Sequence, residues 1–165
     1  MNYCESKILT YETALSLTAM LRTACYRLVI TNGCFDIIHA GHVGYLMQAA
    51  NAGDILIVGV NTDQAVKSLK GPTRPINKLE DRMRVVAAMG MVKYVVPIDS
   101  IRVHDFIRDM RANVWVKGGY TIATLDKGEM EAAHSVGTRI MLVDNIQGYS
   151  TTNTLEQIHC QPATK

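Results

Sequence analysis

Five short runs of almost wholly apolar residues recur along this chain, each separated from the next by a stretch with helical spacing. The runs are Arg27 to Thr31 (RLVIT), Ile55 to Val60 (ILIVGV), Val92 to Ile98 (VKYVVPI), Val114 to Val116 (VWV) and Arg139 to Val143 (RIMLV). A strand wet on one side alternates apolar and polar residues, whereas a strand that is apolar throughout needs cover on both faces. The cover is present in the sequence. Leu17, Met20, Leu21 and Ala24 recur at i, i+3, i+4, i+7 within Thr10 to Thr23, and Val43, Leu46, Met47 and Ala50 do so after the first run. Further helices are predicted from Thr62 and Asp63 through Leu69, over Lys78 to Met89, around Val103, Phe106, Ile107 and Met110, over Leu125 to Val136, and from Thr152 or Asn153 to about Cys160. Gly53 is expected to end the second helix in a left-handed cap.

Strands alternating with helices imply an α/β protein with a parallel sheet. The expected architecture is a Rossmann-like, doubly wound five-stranded parallel sheet of order 3-2-1-4-5 with helices on both faces. The 165 residues suit one domain, read as a helical N-terminal segment over 1–26 and a core over 27–160. Ligands of such folds bind outside the carboxyl ends of the strands, where strand order reverses. Here that crevice falls between the first and fourth strands. The polar turns Asn32 to His42 and Lys117 to Tyr120 follow those two strands.

A net charge of +2 is too small to argue for nucleic acid or a membrane surface, so any anion site has to be local. No apolar run approaches the ~20 residues that span a bilayer. Met1 to Lys7 lacks the basic-then-apolar layout of a signal peptide, and a cytoplasmic protein is expected. The four cysteines form no C-x-x-C pair, which suggests neither a zinc ribbon nor a redox motif.

The strongest local signal is His39-Ala40-Gly41-His42, just inside a predicted helix start. A helix N-terminus offers backbone N–H groups and a partial positive charge, and two imidazoles there can donate to phosphate oxygens. Gly41 lets a bound group approach the backbone. On spacing alone, a solvated histidine pair and a metal pair remain alternatives; the metal lacks an evident third ligand, since His104, His134 and His159 lie far along the chain. A helix start disfavours an imidazolium and a bound phosphate favours it, so both protonation states stand at this point. Neither G-x-G-x-x-G nor G-x-x-x-x-G-K-[ST] occurs, which counts against a dinucleotide-dependent dehydrogenase and a P-loop enzyme. Trp115, inside a strand, reads as core rather than as a stacking platform.

The stretch TNGCFDIIHAGHVGYLMQAANAGDILIVGVNTD resembles the nucleotidyltransferase superfamily that carries an H-x-G-H motif, and within it the ADP-heptose synthases. KSLKGPTRPIN, Glu80-Asp81-Arg82-Met83, VKGG and GYSTTNTL follow in that family's order, so the resemblance spans about residues 7–160. It implies transfer of AMP from ATP to D-glycero-β-D-manno-heptose 1-phosphate, with pyrophosphate released, for lipopolysaccharide or a related glycan. By resemblance, His39, His42 and Lys70 are catalytic. The nucleotide would meet Thr31, Asn32, Gly33, Cys34, Phe35, Gly41, Arg82, Lys117, Gly118, Gly119, Ser150, Thr151 and Thr152. The sugar phosphate would meet Asp36, Asn61, Asp63, Lys67, Lys70 and Arg74. Asp36 reads either as orienting the sugar phosphate or as holding a helix end. Mg²⁺ is expected to arrive on the triphosphate, with no dedicated protein metal site. The implied partners are ATP or CTP and a sugar 1-phosphate. A homodimer and a separate heptose kinase and phosphatase are also implied, because no kinase domain is attached to this sequence. One departure stands out: the family's V-K-G-G-D-Y reads Val116-Lys117-Gly118-Gly119-Tyr120 here, without the Asp. A cytidylyltransferase acting on another sugar, polyol or ethanolamine phosphate is the alternative enzyme. A nucleotide-binding module without catalysis is the alternative of another class.

Overall fold

The computed structural model describes residues 4–99 and 103–144. Five strands, β1 (Leu28–Gly33), β2 (Ile55–Asn61), β3 (Tyr94–Ile98), β4 (Val114–Gly118) and β5 (Arg139–Val143), form one sheet in the order β3-β2-β1-β4-β5. Every pairing is parallel. Six helices connect and cover it: α1 (Tyr11–Thr23), α2 (Ala40–Ala50), α3 (Asp63–Lys70), α4 (Leu79–Ala88), α5 (His104–Met110) and α6 (Lys127–Ser135). The predicted doubly wound fold is therefore the observed one. The predicted helix over 152–160 lies outside the described residues.

The fully apolar strands explain two cores, one per sheet face. Leu28, Ile30, Ile57 and Trp115 pack with Phe106, Ile107, Met110, Ala132 and Ala133 on one side. Val29, Leu56, Val58, Val114 and Val116 pack with Leu46, Ala49, Met83 and Val86 on the other. Successive strand residues point to opposite faces, so each strand feeds both. Burial at roughly 25 cal/mol per Å² of apolar surface drives the assembly.

The N-terminal segment is part of this packing. Ala14 of α1 sits in the first core, and Ile8 bridges to Val95 beside β3. Lys7, in a short 3₁₀ turn at Glu5–Lys7, is buried and donates to the carbonyls of Ala87 and Val92 at 3.0 and 2.9 Å. It thereby satisfies the Ala87 carbonyl left over at the C-terminal end of α4 and the Val92 carbonyl in the segment that leads to β3. Side-chain caps begin three helices: Thr10 accepts from Thr13 N, Thr62 from Ala65 N and Asp126 from Glu129 N.

Two local expectations change. Gly53 is not a left-handed cap; positive φ among the described glycines occurs at Gly71, Gly119 and Gly137. Gly53 is required because a Cβ there would lie 2.5 Å from the Arg27 carbonyl oxygen. The strands bordering the crevice also run further than the apolar runs: β1 includes Asn32 and Gly33, and β4 includes Lys117 and Gly118. Polar residues placed in turns are thus held rigidly at strand ends. Among the described residues, no helix is long and apolar enough to cross a membrane.

Candidate active site

Strands β1 and β4 are neighbours, with Val29 opposite Val114 and Thr31 opposite Val116, and their connections leave in opposite directions across the sheet. The crevice at their carboxyl ends is where this fold places a ligand. Beyond Gly33 the chain turns through Phe35, whose φ of 47° is left-handed, and Phe35 buries its ring beneath the turn. A Cβ on Gly33 would stand 3.1 Å from that ring. The chain then reaches His39, the N-cap of α2, which is extended at φ −142° and makes no side-chain capping bond. The start of α2 is thus presented to the crevice without a side-chain cap from His39.

His39 and His42, one helical turn apart, bring their rings together at 3.9 Å between centroids with a 36° tilt. Phe35 backs His42 at 5.5 Å. Burial lowers the His39 pKa. Burial, and then the neighbouring His39, pull His42 down from 6.5 to about 4. Without a bound anion, this favours the uncharged ring of His42 at neutral pH, which can both donate and accept. Its Nδ1 is buried and meets no hydrogen-bond partner among the described residues. A buried polar atom left in that condition costs about 1–3 kcal/mol.

Tyr45, the next turn of α2, anchors this helix. Its hydroxyl bonds with Thr31 Oγ1 and donates to the Val116 carbonyl at 2.9 Å, linking α2 to β1 and β4 together. The ring occupies the space where a Cβ on Gly118 would lie, 2.9 Å away. Burial raises the Tyr45 pKa, so the hydroxyl stays protonated. Thr31 faces this contact rather than the crevice.

The Pro/Gly loop after α3 folds back onto the same turn through Asp36. The buried carboxylate accepts from Arg74 Nε at 2.6 Å and from the backbone N–H groups of Ile76 and Asn77, each at 2.9 Å. Asn77 returns a bond to the Asp36 carbonyl at 2.6 Å. Burial alone would raise the Asp36 pKa. The Asn77 and Ile76 amides and the Arg74 guanidinium outweigh it and hold the carboxyl below its ordinary value. Asp36 thus fastens the loop to the β1 turn, with Arg74 as its ion-pair partner.

Arg82 is likewise committed. It is buried, and its guanidinium donates to the carbonyls of Asn77, Cys34 and Asn61 and to Asp63 Oδ1 at 3.0, 2.5, 2.8 and 2.7 Å. It ties together the β1 turn, the end of β2, the start of α3 and the end of the loop. Asn61 and Asp63 serve as its acceptors. Lys67 and Lys70 stay exposed on the last turn of α3, and the charge of Lys70 reaches the half-buried Cys34. Burial raises the Cys34 pKa, and Lys70, Arg82 and Arg74 partly oppose that.

On the opposite wall, Asn32 accepts from Trp115 Nε1 at 3.1 Å, which confirms the Trp as core. Lys117 is buried and paired with Glu129 Oε2 of α6 at 3.0 Å. Gly119, at φ 74°, gives its N–H to Val143 at 3.0 Å and turns the chain out of β4. Ser150, Thr151 and Thr152 lie outside the described residues. Among the described residues there is no group of three or more His, Cys, Asp or Glu side chains able to hold a metal ion. Tyr45 and Glu129 escaped the sequence reading. Tyr45 had a signal, three residues after His42 and hence on the same helix face; Glu129 had none.

Residues 30–158 match the model of the cytidylyltransferase-like family. The chain belongs to that family. As a member it is a nucleotidyltransferase. It is similar to the bifunctional protein HldE of Aliarcobacter butzleri, 40% identical over 153 residues, which is 93% of this chain and 31% of that protein. With HldE of Alcanivorax borkumensis it shares 45% identity over 133 residues, 80% of this chain and 28% of that one. The chain thus spans about a third of the length of these relatives. Among solved structures, a lipopolysaccharide core biosynthesis protein from Thermoplasma volcanium superposes with a TM-score of 0.61 at 21% identity, covering 76% of this chain and 99% of that one. A pantoate-beta-alanine ligase from Francisella tularensis, complexed with beta-gamma ATP and beta-alanine, also gives 0.61, at 12% identity, covering 90% of this chain and 72% of that one. These two share the fold.

Proposed function

We propose that this cytidylyltransferase-like chain transfers AMP from ATP to D-glycero-β-D-manno-heptose 1-phosphate, giving ADP-heptose and pyrophosphate for lipopolysaccharide or a related glycan. The observation that carries the proposal is the stacked His39–His42 pair at the start of α2, beside the β1/β4 crevice, with a buried His42 nitrogen that the described protein groups do not satisfy. The sequence similarity to the HldE proteins supports the choice of sugar.

The acceptor's phosphate oxygen attacks the α-phosphorus, and the bond to the β-phosphate oxygen breaks as pyrophosphate leaves. A phosphate monoester has its second pKa near ~6, so the nucleophile is already anionic and needs no general base. Catalysis then consists of holding two anions in line and neutralising charge on the leaving group. His39 and His42 donate to the triphosphate oxygens, and Lys70 bridges the two substrates from α3. Mg²⁺ carried by the triphosphate would supply charge shielding, leaving His39, His42 and Lys70 to contact the phosphates.

The test is to incubate the protein with Mg²⁺, heptose 1-phosphate and either ATP or CTP, and to weigh the product. ADP-heptose is expected. His39→Ala and His42→Ala should each lower turnover by about 10²–10³ with the fold intact. Near-normal rates in both variants would refute the assignment, and a CDP-sugar would redirect it to the cytidylyl reaction.

A further inference from the structure

Lys117 and Glu129 form an ion pair with side chains 11% and 6% exposed, where the sheet meets α6. Such a pair is a poor way to hold a helix. Taking both charges out of water costs several kcal/mol, and apolar residues of similar size usually serve as well or better. The docking of α6 already has an apolar basis in Ala132 and Ala133, which are fully buried. The pair needs another reason to exist.

Its position supplies one. Lys117 lies at the carboxyl end of β4, next to the end of β1, at the rim of the crevice. Its ammonium has three donors, and Glu129 is its one hydrogen-bond acceptor among the described residues. The rings of Trp115 and Tyr120 each have their centroids 5.0 Å from Nζ. They favour a cation there without accepting as a carboxylate does. The backbone from which Glu129 reaches Lys117 is anchored, because its N–H donates to Asp126 Oδ1 at the start of α6. A buried, paired carboxylate beneath, aromatic faces around it, and donors to spare describe a cation set up for an anion.

We propose that Glu129 is a positioning residue for Lys117: it fixes the ammonium at the crevice rim, where Lys117 donates to an anionic oxygen of the bound nucleotide. The inference rests on the nucleotidyl-transfer reading for its ligand, but it concerns binding and is tested by binding.

The probes are ATP, CTP and inorganic tripolyphosphate, each with Mg²⁺ and measured by calorimetry, with thermal unfolding and pyrophosphate release alongside. The variants are Glu129→Gln and the double replacement Lys117→Met with Glu129→Leu, which removes both charges and leaves none stranded. The double variant is expected to melt at or near the wild-type temperature and to bind the wild type's preferred nucleotide about 10- to 100-fold more weakly, the size of one charge-assisted hydrogen bond. Glu129→Gln is expected to raise KM more than it lowers kcat, and Glu129→Asp to recover part of the affinity. A stable double variant with wild-type affinity for nucleotide would reduce the pair to a structural one and overturn the proposal, as would a wild type that binds none of the three probes. Wild-type protein that binds nucleotide through Lys117 yet releases no pyrophosphate with any acceptor would sink the transfer reading and leave this one standing.

Discussion

His42 gives the fold a specific weakness to acid. Its folded pKa is about 4, against 6.5 for the exposed group, because burial and then His39 disfavour the imidazolium. Above pH 6.5 the ring is neutral in both folded and unfolded chains, and no penalty exists. Between 6.5 and about 4 the unfolded chain takes up a proton that the folded chain refuses, so stability falls with pH. Below about 4 both states are protonated and the loss stops growing. The full gap corresponds to about 3 kcal/mol, and since His42 is only partly shielded from solvent the realised loss is about 1–2 kcal/mol. Asp36 does not confuse the measurement: its carboxyl is held below the ordinary 3.8, so its contribution disappears only as pH drops below that value. The assay is urea denaturation of wild type and His42→Gln at several pH values from 7.5 to 4.5. Wild type should lose about 1–2 kcal/mol across that range, and the variant clearly less. Equal losses in the two proteins would show that the ring is not held neutral by its surroundings.

Two further perturbations separate structural from ligand-facing groups. Asp36→Asn keeps the shape but removes the charge that Arg74, Ile76 and Asn77 share; it should cost about 1.5–3 kcal/mol and make the 70–77 loop more sensitive to proteolysis, followed by urea titration and timed digestion. Arg82→Lys cannot reach four acceptors at once and should lower stability by about 3 kcal/mol in chemical denaturation; an unchanged melting temperature with a raised KM for ATP would instead make Arg82 a phosphate ligand.

The doubly covered parallel sheet and the helix positions were legible because the strands are largely apolar on both faces and the helices keep their spacing. Periodicity reports burial, and burial is what arranges layers. What it could not report was where polar side chains direct their hydrogen bonds. Arg82 sits on a helix otherwise marked as amphipathic, and nothing in the spacing says that its guanidinium turns inward to three carbonyls and a carboxylate. Asp36 and Arg74 are 38 positions apart, and their contact exists only because the loop folds back. Glu129 looks like any acidic residue in the first turn of a helix, where the dipole already favours one. The histidine pair was legible by position, but its neutrality was not, since it depends on Phe35 and the closeness of the two rings.

These commitments divide the work of the crevice in a way the sequence would not suggest. Arg74 and Arg82, the cations best shaped for phosphate, are spent on Asp36 and on backbone carbonyls, so they fix where the loops lie. At the start of α2, burial pushes the His39 and His42 pKa values down, which disfavours a charged ring in that partly buried recess. Besides Lys117 at the rim, positive charge is carried by Lys67 and Lys70, which stay exposed at the C-terminal end of α3, where the helix dipole favours cations. A lysine in water costs little until the substrate arrives, and its flexible stem can follow a phosphate as the bond to the leaving group breaks. On the proposed reaction, the fixed donors would set geometry and the exposed lysines would supply charge. On that division Lys70→Ala should lower the rate without altering stability, the reverse of the pattern expected for Arg82→Lys.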